Sequence, residues 1–188
     1  VDTITDFFGV VLAKKLSAKG ITADLLLGNN VLAHVPDILD FVGGMKILLA
    51  PQGVITMEFP HLIQLIENNQ FATIYHAHYS YLSLYSVKQI FESIGLVLVD
   101  VEELPTHGGS LRIYARHKDN TSFEVSERVV SLLNAEKEKG VNQLSYYASF
   151  QRRAEIVKLD LLDFLVLQRR KGIQVVGYGA AAKGNTLL

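Results

Sequence analysis

The sequence predicts an α/β fold whose sheet is mostly parallel and carries an antiparallel hairpin at its edge. First, 49% of the 188 residues are apolar and only 20% are charged, so the chain can bury a substantial core. Second, short apolar runs alternate with segments of helical periodicity. Third, the apolar runs Leu96–Leu104 and Leu111–Arg116 are joined by a segment too short for a crossover helix, so we expect them to pair antiparallel.

The remaining elements follow from the same periodicities. Helices are predicted where apolar residues recur every three or four positions, and strands where an apolar run is continuous. Gly20 and Gly95 end two of the helices, and Pro60 opens a third. In order, the sequence predicts helix Phe8–Lys19, strand Ile21–Gly28, helix Pro36–Ala50, strand Val54–Phe59, helix Pro60–Asn69 and helix Ser86–Ile94.

After His117 two long helical patterns, Ser122–Lys139 and Ser145–Lys171, predict a linker of two helices with one packed apolar stripe. The run Ile173–Val176 predicts a buried strand that starts a second α/β unit. Val1–Phe8 reads as a strand entering a helix, so both ends look interrupted and we expect an internal piece of a longer protein. The expected domains are residues 1–118, 119–171 and 172–188.

The composition argues against several classes of protein. Lys and Arg number 18 against 19 Asp and Glu, a net charge of −1 that lacks the basic excess of nucleic-acid binding. There is no cysteine, which excludes disulfides, thiolate metal sites and a cysteine nucleophile. No apolar run approaches the roughly 18 residues of a membrane helix, and no signal segment opens the chain. We expect a cytoplasmic protein that binds neither nucleic acid nor membrane.

Histidine and tyrosine are concentrated in Thr73–Tyr85 (TIYHAHYSYLSLY). In an extended segment, Tyr75 would lie on one face and both His76 and His78 on the other. Imidazoles exchange protons near neutral pH and phenols donate to a developing oxyanion, so acid–base chemistry is one interpretation. An aromatic loop packed over the sheet is the other. No metal is expected, because no carboxylate or third histidine lies close by in the sequence.

Three further loops carry candidate residues. Asn30 and His34 follow a predicted strand, at the edge where open α/β sheets bind ligands, and would share a helix face if the next helix starts early. Spacing alone favours an ordinary turn or helix cap and a capping or packing histidine. The glycines of Pro105–Arg112 let the backbone approach a ligand, or merely serve the hairpin. Gly177–Asn185 (GYGAAAKGN) joins an apolar run to a helix, an arrangement that binds anions.

Five segments spread over almost the whole chain occur together: Ile21–Pro36 (ITADLLLGNNVLAHVP), Pro51–Pro60 (PQGVITMEFP), Ile74–Tyr81 (IYHAHYSY), Pro105–Arg112 (PTHGGSLR) and Gly177–Leu188 (GYGAAAKGNTLL). In this order they resemble the S-adenosylmethionine-dependent C-methyltransferases that act on nucleotide-linked keto-deoxysugars. The resemblance implies a partial class I methyltransferase (Rossmann-like) sheet, then a helical linker and the start of a second Rossmann-like unit. It also implies that a zinc-binding domain and the Gly-rich cofactor loop precede this segment, so zinc is expected only there.

The resemblance also assigns roles to residues. His78 is the expected base, which removes a proton beside the keto group so that the enolate attacks the methyl group. Tyr75, Asn30 and His34 would orient the sugar or stabilise the enolate oxygen. Asp6, Phe7, Phe8 and Asn29 would bind the cofactor. The expected substrate-binding residues are His107, Gly108, Gly109, Ser110, Arg112, Lys183 and Asn185.

One position departs from the family. Ala77 stands where the family usually has Glu between the two histidines, so we expect slow turnover or a His78 that suffices alone. Two other interpretations remain open. One is a nicotinamide-dependent oxidoreductase that uses Gly177–Gly184, and the other is a non-catalytic chain that associates through the apolar strand Ile21–Gly28.

Overall fold

A computed structural model describes residues 2–179 and 182–187 of the chain. Within those ranges the strands are β1 (Ala23–Asn29), β2 (Leu49–Pro60), β3 (Leu96–Leu104) and β4 (Ser110–His117). The helices are α1 (Val10–Ser17), α2 (Ile38–Leu48), α3 (Leu62–Glu67), α4 (Leu84–Ile94), α5 (Glu127–Lys139), α6 (Leu144–Tyr147), α7 (Phe150–Arg170) and α8 (Ala182–Leu187). Short 3₁₀ turns cover Leu32–His34, Phe71–Thr73 and Thr106–Gly108.

The four described strands form one mixed sheet in the order β1-β2-β4-β3. β1 and β2 run parallel, with Asn29 beside Glu58 at their carboxyl ends. β4 runs antiparallel to both neighbours and sets Arg112 beside Glu58 and Glu102. The α/β fold and the antiparallel hairpin are confirmed. The described sheet is mixed rather than mostly parallel, because β4 lies between β2 and β3 and makes both of its pairings antiparallel.

The hydrophobic core lies on one face of this sheet. Met57 and Phe59 of β2 and Ile113 of β4 are fully buried there, and α2, α4 and α5 cover them. Phe91 of α4 is also fully buried, and a side chain of this size contributes about 1.5–3 kcal/mol by leaving water. Alternate strand positions point to the opposite face, where Leu27 is largely exposed.

Local chemistry sets the ends of the elements that approach the candidate site. Pro60 closes β2, where it pairs with Ser110, and α3 begins at Leu62 rather than at Pro60 as predicted. α4 begins with a capping box in which the Ser83 hydroxyl accepts the N–H of Ser86 and the Ser86 hydroxyl accepts that of Ser83. Gly95 ends α4 in the left-handed conformation, as its residue type predicts.

The segments around the linker differ from prediction. The predicted strand Ile173–Val176 is wrong: residues 173–179 form neither helix nor strand, and Ile173 and Val176 are exposed. A strand needs a neighbour for its backbone hydrogen bonds, and the described sheet ends at β1 and β3. Residues 2–9 likewise form no strand, and Val1 lies outside the described residues.

The second predicted linker helix, Ser145–Lys171, also differs from its prediction. It is divided into α6 and α7, and no residue of α7 is buried, so the packed stripe predicted for it is not formed within the described chain. The helix predicted after the Gly-rich turn is present as α8, although Ala180 and Ala181 lie outside the described residues. Within the described ranges, no helix combines the length and the hydropathy that a membrane span requires.

Candidate active site

The candidate site begins where β1 and β2 end side by side. The backbone N–H of Asn30 donates to the carbonyl oxygen of Glu58 over 2.7 Å, and Asn30 has φ 54°, a left-handed conformation that asparagine tolerates. This conformation prevents a helix from starting at Asn30, so the prediction that Asn30 and His34 share a helix face is wrong. The side-chain oxygen of Asn30 is buried and has no hydrogen-bond partner among the described residues.

The histidine–tyrosine loop, residues 73–81, folds over this edge. The N–H groups of Tyr79 and Ser80 both donate to the carbonyl oxygen of Ala33, which docks the loop on the turn after β1. The segment is not extended, because the N–H of His78 closes a turn onto the carbonyl oxygen of Tyr75 over 3.0 Å. The prediction that Tyr75 and His78 lie on opposite faces is therefore wrong, and their rings lie 4.6 Å apart between centroids.

Two histidines of the site are oriented by backbone carbonyl groups. Nδ1 of His78 lies 2.8 Å from the carbonyl oxygen of Thr73, and Nδ1 of His34 lies 2.7 Å from that of Ala77. A carbonyl oxygen can only accept, so each Nδ1 carries the hydrogen and each Nε2 of a neutral ring carries a lone pair. The two rings lie 4.6 Å apart. The loop thus holds two imidazoles with their basic nitrogens free of these bonds.

Aromatic side chains surround His78. The Tyr75 ring lies on it, and the Tyr81 ring meets it edge-on at 6.1 Å. Burial raises the pKa of Tyr81 above its usual value, so its phenol stays a hydrogen-bond donor at neutral pH. The rings therefore pack the loop around His78 and bring polar groups to its imidazole, and acid–base chemistry stays a prediction.

The loop between β3 and β4 forms a second wall. His107, Gly108 and Gly109 all have positive φ, and Gln70 donates from Nε2 to the carbonyl oxygen of Gly108 over 2.7 Å, which ties this loop to the segment just before the histidine–tyrosine loop. His107 and Gly108 are exposed. Ser110 is buried, and its hydroxyl already donates to the carbonyl oxygen of Thr106.

A buried carboxylate that the sequence reasoning missed stands beside this wall. Glu58 accepts a hydrogen bond from the Thr106 hydroxyl and another from Arg112, each over 2.8 Å. The bond from Thr106, with Arg112 adding to it, lowers the pKa of Glu58 in spite of its burial. Arg112 also faces Glu102, so the predicted substrate-binding arginine is held between two carboxylates. The signal in the sequence was a charged residue inside the apolar run VITMEF.

Among the residues expected to bind a cofactor, Asn29 ends β1, whereas Asp6, Phe7 and Phe8 lie in the segment before α1. The N–H of Val10 donates to the Asp40 side chain in the first turn of α2, which holds the segment before α1 close to the helix that follows β1. Asp6 and Phe7 are exposed there, and Asn29 is exposed at the end of β1. Phe8 packs edge-on against Phe41 at 5.4 Å, so its ring is already engaged in packing.

The last two expected substrate residues, Lys183 and Asn185, are exposed on α8. α8 lies beside the 3₁₀ turn Phe71–Thr73, whose last residue accepts the His78 hydrogen bond. Among the described residues, no group of three histidine or carboxylate side chains is gathered as a metal site would require. In the described part of the chain, the rings of His34 and Tyr75 thus both contact that of His78, and Asn30 lies at the end of β1, four residues before His34.

Two family models match the chain. One is described as a methyltransferase domain and matches residues 3–101; the other is described as a C-methyltransferase C-terminal domain and matches residues 105–188. The C-methyltransferase NovU of Streptomyces niveus is 37% identical over 188 residues, which is all of this chain and 44% of that relative. The chain therefore spans less than half the length of the curated relative that it matches.

Two solved methyltransferase structures are similar to part of the chain. The 1,6-didemethyltoxoflavin-N1-methyltransferase of Burkholderia thailandensis is 21% identical with a TM-score of 0.40, over 51% of this chain and 44% of the other. The putative methyltransferase in complex with the Haloferax volcanii Trm112 activator is 11% identical with a TM-score of 0.44, over 51% and 54% of the two chains.

Proposed function

The chain belongs to the methyltransferase domain family, and from this premise we propose that it is part of an S-adenosylmethionine-dependent C-methyltransferase acting on a nucleotide-linked keto-deoxysugar. The relative NovU, named a C-methyltransferase, supports transfer to carbon. The observation that carries the proposal is the orientation of His78, whose Nδ1–H is bonded to the carbonyl oxygen of Thr73. Methylation at carbon requires a base for a C–H proton, and this bond leaves Nε2 available as that base.

In the proposed reaction, Nε2 of His78 removes the proton from the carbon next to the keto group. The C–H bond electrons form the enolate, whose negative charge collects on the former keto oxygen, and the proton remains on the imidazole. The bond from Nδ1 to Thr73 keeps the ring from rotating while Nε2 gains its hydrogen. A backbone carbonyl beside Nδ1 also stabilises the imidazolium that forms.

Three neighbours would act on the sugar and its developing charge. Tyr75, with its ring 4.6 Å from that of His78, supplies a phenol hydrogen for the enolate oxygen. His34 contacts the His78 ring and orients a sugar hydroxyl or the same oxygen. The free side-chain oxygen of Asn30 accepts from a sugar hydroxyl or an amino group. Ala77 contributes through its carbonyl oxygen, which orients His34 although no carboxylate stands there.

The residues proposed to bind S-adenosylmethionine carry groups that suit its amino groups and its adenine ring. The Asp6 carboxylate and the Asn29 amide offer acceptors for its amino groups, and the exposed Phe7 ring offers a face for adenine. When bound, S-adenosylmethionine would supply an electrophilic methyl group for the enolate carbon, its methyl–sulfur bond breaking so that S-adenosylhomocysteine is the leaving group.

The β3–β4 loop is proposed to border the sugar, with His107, Gly108 and Gly109 on the exposed side and Arg112 behind them. Lys183 and Asn185 of α8 are proposed to meet the nucleotide diphosphate. Residues 1–118, 119–171 and 172–188 would then be the second half of the methyltransferase domain, a helical linker and the start of a C-terminal domain of a cytoplasmic enzyme. Zinc would belong to a domain outside this sequence.

Proton abstraction can be measured without methyl transfer. The chain is incubated in heavy water with a dTDP-linked 3-keto-6-deoxysugar, without S-adenosylmethionine, and deuterium uptake into the sugar is followed by mass spectrometry. We expect uptake faster than in the protein-free control, reduced about 10²- to 10⁴-fold by His78→Gln because the base is lost. Added imidazole should restore part of the rate in a His78→Ala variant.

His76→Gln is the matched control, since His76 lies in the same loop but is exposed. It should leave the uptake rate within about twofold of the parent chain, as expected for a surface substitution. Equal rates for the parent chain and His78→Gln would refute His78 as the base. Deuterium uptake no faster than in the protein-free control would refute the proposal that this chain abstracts the proton.

A further inference from the structure

The carboxylate of Glu136, in the first helix of the linker, contacts the segment that follows the histidine–tyrosine loop. Glu136 of α5 is 1% exposed, although glutamate is rarely fully buried without partners. Its Oε1 accepts the N–H of Leu84 over 2.8 Å, and its Oε2 accepts that of Tyr85 over 2.7 Å. Nε2 of His61 lies 3.1 Å from Oε1 and completes the set of donors.

These bonds satisfy N–H groups at the start of α4. The first N–H groups of a helix have no partner within it, and they form the positive end of the helix dipole. Ser83 satisfies the N–H of Ser86, and Glu136 satisfies those of Leu84 and Tyr85. A single negative charge from another helix therefore fixes the start of α4.

The start of α4 follows closely after the end of the histidine–tyrosine loop. Leu82 lies one residue after that loop, and its carbonyl oxygen accepts the N–H of Leu62, next to a bridge between Leu82 and His61. Two residues earlier, the N–H of Ser80 is docked on the carbonyl oxygen of Ala33. A shift at Leu82–Tyr85 would therefore be transmitted into the docked part of the loop that carries His78.

Glu136 reaches the second wall of the site as well. Its partner His61 donates its backbone N–H to the carbonyl oxygen of Gly109 over 3.0 Å. One carboxylate thus contacts, directly or through His61, the supports of both loops that border the site. We propose that Glu136 is a positioning residue for His78, through which the linker helix sets the geometry of proton abstraction; this rests on the proposed function.

If Glu136 only stabilised the fold, its loss would lower thermal stability and leave the geometry of His78 unchanged. Asp100 of β3 offers a matched control, because it too ties the α5 region to the sheet, by accepting from the Arg128 side chain and the Ser126 hydroxyl. Asp100 has no contact with either site loop among its described bonds. Loss of the Asp100 contacts should lower thermal stability without changing the site.

The test compares Glu136→Ala, Glu136→Gln and Asp100→Asn in the deuterium-uptake assay, at a temperature where each variant is folded. We expect Glu136→Ala to lower kcat about 10- to 100-fold, the cost of an ångström-scale misplacement of a reacting group, with a smaller change in KM. Glu136→Gln keeps an oxygen for one N–H and should recover part of kcat. Asp100→Asn should lower Tm and leave kcat unchanged.

A second readout separates this inference from the proposed function. The ¹⁵N shifts and pH titration of the His78 ring, and amide exchange at Leu84 and Tyr85, are measured in the same variants. We expect both to change in the Glu136 variants and to stay as in the parent with Asp100→Asn.

If the parent shows no deuterium uptake, the proposed function fails, but the His78 and amide-exchange signals still test whether Glu136 positions His78. Unchanged His78 signals, or a kcat loss shared equally by Asp100→Asn, would overturn the inference. If Glu136→Ala does not fold, Glu136→Gln carries the same comparison.

Discussion

A single added methyl group at Gly109 should damage the wall of the candidate site. Gly109 has φ 118° and ψ 114°, a conformation that residues with a side chain rarely adopt. A Cβ atom there would lie 2.5 Å from Cγ and 2.8 Å from Cβ of Gln64, well inside van der Waals contact. Backbone strain costs about 1–3 kcal/mol. Overpacking costs about as much again, so Gly109→Ala should lose roughly 2–6 kcal/mol of folding free energy.

Urea unfolding followed by far-UV circular dichroism measures this loss, since the chain contains no tryptophan. Gly20→Ala is the control: Gly20 also has positive φ, 78°, but nothing lies within 4 Å of its added Cβ. It should cost only the backbone strain, about 1–2 kcal/mol. Equal losses for Gly20→Ala and Gly109→Ala would refute the close contact between the β3–β4 loop and α3, and with it the proposed rigid wall.

Two further predictions concern stability. The bond from Thr106 lowers the pKa of Glu58 below its usual 4.5, and that from Arg128 lowers the pKa of Asp100 below its usual 3.8. Because these folded-state values are lowered, the stabilisation is present above the usual values and is lost as the pH falls below them. Urea midpoints from pH 7 to pH 3 should therefore fall less steeply in Glu58→Gln than in the parent, and parallel curves would contradict this. Ser83→Ala should cost about 1 kcal/mol in the same assay by removing the cap of α4; an unchanged midpoint would contradict the capping box.

Local pattern was a good guide to most elements. The continuous run within Ile21–Gly28 became β1, and the helix predicted up to Ile94 ends at Gly95 as its residue type requires. The pattern failed at Ile173–Val176, where an apolar run is exposed and irregular. A strand is a relation between two segments, so its formation depends on a neighbour that local sequence does not describe.

The candidate site was likewise predicted only in part from the sequence. Its residue types stood out in the sequence, because His78 and Tyr75 lie in one aromatic cluster. Their arrangement did not, since a turn rather than an extended strand brings the two rings together. Glu136 gave no local signal at all, because it lies 52 residues after Leu84 and looks like any charged residue on a helix.

The sequence by itself determined the α/β class, the ends of most helices and the residue types available for acid–base chemistry, because propensity, periodicity and capping act over a few neighbouring residues. Only the tertiary structure decided which nitrogen of His78 carries its hydrogen, which loops form the walls and why Glu136 is buried. Those properties depend on hydrogen bonds between segments that are remote in sequence, and their partners are chosen by the packing of the whole sheet and its helices.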